Sequence, residues 1–163
     1  MDIDDFKQMY VKELQEARSV EAQLANALPR LHAAAGAATL KQALAKQAED
    51  TSEQAERLDA LLRDHGAEPG KHEDQSMSGL LAECEKWVDM LGEPDLRDAG
   101  LIASVQRIAH YQIAAYGTLA AWAKQLGHET DLESLLAILE QEKSADESLS
   151  EIAKQAINPE AAA

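Results

Sequence analysis

The chain has 163 residues, long enough to bury a core without disulfides, and its 30 acidic against 15 basic residues give a formal charge of -15. That charge excludes nucleic-acid and anionic-membrane partners unless a local basic patch intervenes, and the sequence contains none. One cysteine, Cys84, excludes an internal disulfide and a thiolate zinc site, while sparse Gly and Pro among recurrent Ala, Leu, Glu and Gln describe a helical protein.

The apolar residues Phe6, Tyr10, Ala17, Leu24, Leu28 and Leu31 recur at helical spacing and predict a first helix over about 3–35, kinked at Pro29 and ended by Gly36. Thr39 is expected to cap a second helix over about 39–65, with Leu40, Leu44, Thr51, Ala55, Leu58 and Leu62 inward and His65-Gly66 as its stop. The polar run 67–75, with Pro69-Gly70, predicts a loop. A short helix over about 78–91 follows, with Ser76 and Ser78 as cap residues and Leu80, Leu81, Cys84, Trp87, Val88 and Leu91 at helical spacing. Gly92-Glu93-Pro94 separates it from a long helix over about 95–126, which carries Leu101, Val105, Ile108, Gln112, Tyr116, Leu119 and Ala123 inward and closes at Gly127. Thr130 and Glu133 have capping-box spacing for a last helix over about 131–157, striped by Leu132, Leu135, Leu136, Leu139, Glu142, Asp146 and Leu149, with a fraying tail from Asn158.

Strand-like alternation is absent. Two long hairpins joined by a crossover that carries a short helix define an all-α, ferritin-like four-helix bundle, and one such domain over 1–163 is the expected organisation. No basic, apolar leader and no membrane-length apolar run occur, so a cytoplasmic protein is expected.

Several polar residues fall on or beside the apolar stripes: Glu13, Glu21, Gln47, Asp50, Gln54, Gln112, Glu142, Lys143 and Asp146. An ionised carboxylate facing a core is costly unless it is paired, hydrogen-bonded or bound to a cation. Their spacing repeats: Glu21 to Asp50 and Gln112 to Glu142 are nearly equal intervals, and Asp50 to Gln54 matches Glu142 to Asp146. In dinuclear carboxylate bundles, the second helix of each hairpin adds a histidine three residues beyond its carboxylate. Here Glu53 and Ala145 occupy those places, and Gln112 stands where the third helix would give a carboxylate. Two readings follow. Either Glu21, Asp50, Glu142 and Asp146, helped by the oxygens of Gln54 and Gln112, hold iron or manganese. Or Lys143 neutralises Glu142 or Asp146 within a buried polar network that includes Glu13, Gln47, Tyr10 and Tyr116. The histidines His32, His65, His72, His110 and His128 form no i, i+4 pair on one stripe and read as mostly surface residues.

The runs Val20-Glu21-Ala22-Gln23-Leu24, Ala27-Leu28-Pro29-Arg30 and Glu49-Asp50-Thr51, with Gln54 and Arg57-Leu58, resemble the first hairpin of the bacterial YciE/YciF-type stress proteins. The run from His110 through Leu119, then Ala123-Lys124-Gln125-Leu126-Gly127 and Glu142-Lys143-Ser144-Ala145-Asp146, resembles the second hairpin more closely. The resemblance spans about Ile3 to Asn158. It implies a ferritin-like fold, a homodimer and a cytoplasmic protein of the stress response. Family members usually carry Glu where this chain has Ala109, Gln112 and Asp50, and often His at Gln47, so the implied dimetal site is degenerate here. The first functional expectation is therefore a binding or structural dimer, with Trp87, Val88 and Leu91 at its interface. The alternative is a metal-dependent oxidoreductase or metal-handling protein using the midline carboxylates. No Ser/His/Asp arrangement or phosphate-cradling loop supports another enzyme class.

Overall fold

The computed structural model describes residues 3–70 and 73–163. Among them every regular element is helical: α1 (Phe6–Ala34), α2 (Ala38–Asp64), α3 (Gln75–Met90), α4 (Pro94–Leu126), α5 (Glu129–Ile152), a π-helical turn at Ala153–Ile157, and α6 (Asn158–Ala161). Helices α1 and α2 form one antiparallel pair and α4 and α5 the other; α1 lies against α4, and α2 against α5. The short α3, in the crossover, rests on α4 and α1.

Local chemistry fixes most helix ends, though not always through the residues expected. The Asp5 carboxylate accepts from the Gln8 backbone N–H at 2.7 Å and opens α1, which runs through Pro29 to Ala34. Helix α2 begins after Ala37 and not at a Thr39 cap, and the two amides that lead into it are satisfied from another helix: Asp98 of α4 accepts from Gly36 N–H at 2.8 Å and Ala37 N–H at 2.7 Å. Glycine at position 36 permits that approach, since a Cβ there would stand 3.3 Å from Asp98 Oδ2. Helix α3 starts at Gln75, ahead of Ser76 and Ser78, because Asp74 is its cap, accepting from Met77 N–H at 2.6 Å.

Gly127 takes the left-handed conformation, φ 74°, that ends α4, and the following His128 N–H bonds back to Ala123 C=O. Helix α5 opens directly after His128, so Thr130 and Glu133 lie within it and form no capping box. The expected fraying tail is helical too, reached through the π-helical turn that sets Ala153 and Ile157 into the core.

Two apolar clusters fill the interior. One gathers Leu24, Leu28, Leu31, Leu40, Val105, Ile108 and Leu149; the other gathers Leu14, Leu58, Leu62, Leu119, Leu135 and Ile138. Each fully buried leucine contributes roughly 1.5–3 kcal/mol of transfer free energy. Leu136 and Phe6, expected on inner stripes, are exposed at 44 % and 39 %; Phe6 instead meets the Trp122 ring edge-on at 5.5 Å. No helix among the described residues is long and apolar enough to cross a membrane.

Candidate functional site

Between the two apolar clusters lies a polar layer made by one side chain from each long helix and one tyrosine. Glu21 (α1), Gln54 (α2) and Gln112 (α4) are wholly buried, and Glu142 (α5) is 3 % exposed. Gln112 Nε2 donates to Glu21 Oε1 at 3.0 Å, and the Tyr116 hydroxyl donates to the same oxygen. Across the layer, Gln54 Nε2 donates to Glu142 Oε1 at 2.7 Å and to Gln141 Oε1 at 3.3 Å. These bonds fix the orientation of both amides, nitrogen toward a carboxylate. They leave four buried oxygens with no donor: Glu21 Oε2, Glu142 Oε2, Gln54 Oε1 and Gln112 Oε1.

Among the described residues no lysine or arginine hydrogen-bonds either carboxylate. Burial, opposed by the Tyr116 hydrogen bond and reinforced by Glu142, pushes the Glu21 carboxyl up to about 8. Burial also pushes Glu142 up to about 7, with the Gln54 hydrogen bond opposing and the Asp50 charge adding. The Tyr116 hydroxyl is raised well above its ordinary value by burial and by the charge of Glu21, so it remains a donor. The layer is thus a pair of carboxyls poised between protonated and ionised forms near neutrality.

The other polar residues singled out in the sequence lie around this layer or elsewhere. Asp50 is 9 % exposed at the flank of the layer and is ion-paired with Lys46 one turn earlier. Gln47 is buried, with its Nε2 unpartnered. Asp146 is directed to the α4 side, accepting from Gln106 Nε2 at 3.1 Å and pairing with His110 Nε2 at 3.1 Å. Lys143 is exposed and pairs with Glu140 at 2.8 Å, so it neutralises neither Glu142 nor Asp146. Glu13 belongs to the crossover side of α1, its carboxyl raised by burial and then by Glu16 and Asp74. The α2–α5 flank opens a recess of about 480 Å³ whose lining includes Gln47, Asp50 and Gln141.

Tyr10 joins a second buried cluster, roughly 16 Å along α1 from Glu21 at helical rise. Its hydroxyl donates to Asp131 Oδ2 at 2.7 Å, and His65 Nε2 meets the same oxygen at 2.6 Å. The His65 and His128 rings stand 4.7 Å apart, and His128 Nε2 is buried without a partner. The surface reading of these two histidines is corrected here: the helix-ending turns at Gly66 and Gly127 fold both imidazoles inward over Tyr10. Asp131 carries no signal in the sequence because it sits in the first turn of α5, where an acidic residue is ordinarily a solvated partner of the helix dipole. His72 lies outside the described residues.

Among the described residues no three His, Cys, Asp or Glu side chains form a ready metal cage; the midline layer offers two carboxylates and two amide oxygens. Comparison with known proteins shows the family of the chain. The chain is 33 % identical over 162 residues to protein YciF of Escherichia coli strain K12, an alignment covering 99 % of this chain and 98 % of that protein. The crystal structure of the E. coli stress protein YciF superposes with a TM-score of 0.91 at 32 % identity, covering 96 % of this chain and 99 % of that one. YcfI from Rhodopseudomonas palustris matches with a TM-score of 0.89 at 32 % identity, covering 91 % and 95 %. The profile of the domain of unknown function DUF892 matches residues 5–162, and the chain belongs to that family of YciF-like proteins.

Proposed function

We propose that the chain is a stress-associated binding protein with a ferritin-like arrangement of two hairpins, whose midline takes up one divalent cation, iron(II) or manganese(II), in exchange for protons. The observation that carries this reading is the set of four buried oxygens with no donor in one layer. Leaving such atoms bare costs roughly 1–3 kcal/mol each. Glu21 and Glu142 would hold the ion with the carbonyl oxygens of Gln54 and Gln112, an all-oxygen set that suits these metals. When bound, the ion supplies the positive charge that the layer otherwise lacks. Gln54 and Gln112 orient the carboxylates, Tyr116 holds Glu21, and the apolar clusters on both sides keep bulk water away.

Two carboxylates are too few for a dinuclear centre, which favours binding over oxidase chemistry. Redox use of a single ion is the second reading, favoured by the Tyr116 hydroxyl on Glu21. The stress association follows the description of YciF as a stress protein. A homodimer is part of the proposal, with Trp87 alone kept from the three interface residues first expected. Val88 packs against the core, and Leu91 Cδ1 lies over Gly100, leaving Trp87, Met90 and Leu96 outward at 36 %, 65 % and 44 % exposure.

Anaerobic reconstitution with manganese(II) or iron(II), followed by elemental analysis, tests the cation. Near-stoichiometric metal is expected in the wild type, with loss in Glu21→Gln and Glu142→Gln. Metal at background in the wild type would refute the proposal, leaving a purely structural polar layer.

A further inference from the structure

The recess between α2 and α5 has features that the cation reading does not use. Its volume of about 480 Å³ falls in the range of small-molecule pockets. Alanines Ala43, Ala137 and Ala145, with Leu149, make its apolar walls, small side chains that leave the space open. Gln141 is half-buried on its lining, and its Oε1 is already engaged by Gln54 Nε2 at 3.3 Å. That contact holds the amide in one orientation and leaves Gln141 Nε2 as a donor with no acceptor among the described residues.

Charge selects against anions at this place. The Lys46 ammonium at the rim is committed to Asp50, with Glu49 and Glu53 also near it, so it offers little to an incoming anion. Glu140 at the rim is paired with Lys143, and the chain as a whole carries -15. An ammonium ligand brings only donors and cannot satisfy Gln141 Nε2. An uncharged carbonyl oxygen can, with an apolar body lying against the alanines.

We propose that this recess binds an uncharged carbonyl compound about the size of one substituted aromatic ring, its oxygen accepting from Gln141 Nε2 and its ring packed between α2 and α5. The site holds with or without an ion at the midline. Because Gln141 and Glu142 share Gln54 as donor, a ligand here is linked to the buried carboxylate through two hydrogen-bonded residues, Gln141 and Gln54.

The test is a titration of the full-length, nitrogen-15-labelled protein with acetophenone, benzoate and benzylamine, following the Gln141 and Gln47 side-chain amide signals. Acetophenone is expected to shift both signals saturably, with benzoate and benzylamine roughly ten-fold weaker or more. Gln141→Leu, read at Gln47, should weaken acetophenone about five-fold, the worth of one hydrogen bond. Ala145→Leu should abolish binding by filling the recess. Ser144→Leu, at an exposed rim position, repeats that test without touching buried packing. No saturable shift with acetophenone, equal binding of either ion, or undiminished binding in the filled variants would overturn the proposal.

Discussion

Replacing Glu142 by Gln should raise the stability of the ion-free protein at alkaline pH and leave it nearly unchanged near pH 5. The carboxyl has an ordinary value of 4.5 and is pushed up to about 7 in the folded chain, mainly by burial. The unfolded chain therefore gives up this proton at lower pH than the folded one. Between those two values the native state binds more protons, and stability falls as pH rises. At 1.36 kcal/mol for each unit of difference, the loss from Glu142 is about 3 kcal/mol, complete by about pH 8. Glu21, pushed up to about 8, loses stability in the same direction over a window reaching higher pH. Because Glu142 is one of the causes raising Glu21, the substitution relieves that residue as well. Glutamine keeps an oxygen for the Gln54 Nε2 donor, so the variant changes the charge and preserves the bond. Urea unfolding with a chelator, from about pH 5 to pH 9, should show the wild type declining and Glu142→Gln gaining about 3 kcal/mol on it at the alkaline end. Parallel curves, or a wild type more stable at pH 8 than at pH 5 by an amount the variant shares, would refute the assignment of the buried charge.

Asp98→Ala removes both acceptors from the Gly36 and Ala37 amides and is expected to cost about 2 kcal/mol in urea unfolding, with early amide exchange at the start of α2. Tyr111→Phe deletes the hydroxyl that donates to Asp74 Oδ2 at 2.7 Å and should cost about 1 kcal/mol, with faster proteolysis of the adjoining crossover loop. Asp146→Ala should leave the metal content of reconstituted protein unchanged, because that carboxylate serves Gln106 and His110. Lys143→Ala should change unfolding free energy by less than about 0.5 kcal/mol, as expected of an exposed lysine paired with Glu140 one turn away.

The helical pattern was readable in the sequence because inward aliphatic residues such as Leu24, Leu58, Val105 and Leu135 keep a 3.6-residue period that local physics alone produces. The midline residues Glu21, Gln54, Gln112 and Glu142 were readable for the same reason: polar side chains on an apolar stripe stand out. Their partnering was less so. The equal intervals Asp50 to Gln54 and Glu142 to Asp146 suggested a symmetry that the packing does not keep, since Gln54 and not Asp50 meets Glu142, while Asp146 turns toward α4. A few tens of degrees around a helix decide such facing, and the period does not resolve them. Contacts between elements were hidden altogether. Nothing near Ala37 names Asp98 as its cap, and nothing near Tyr10 names Asp131 or His65. Leu136 is outward although Leu135 beside it points inward, because it extends an apolar run whose edge is defined only by the neighbouring helix.

The bond from Ala37 N–H to Asp98 Oδ2 joins residues 61 positions apart, and it bears on the order in which the chain acquires its shape. The turn between α1 and α2 is short, yet its last donors find no local acceptor and wait for the opening of α4. A first hairpin made alone therefore emerges with an unfinished corner, and closing that corner requires the whole crossover to fold back. Evolutionary recombination that exchanged one hairpin between relatives would have to carry this carboxylate and its glycine together, since each belongs to a different half of the molecule.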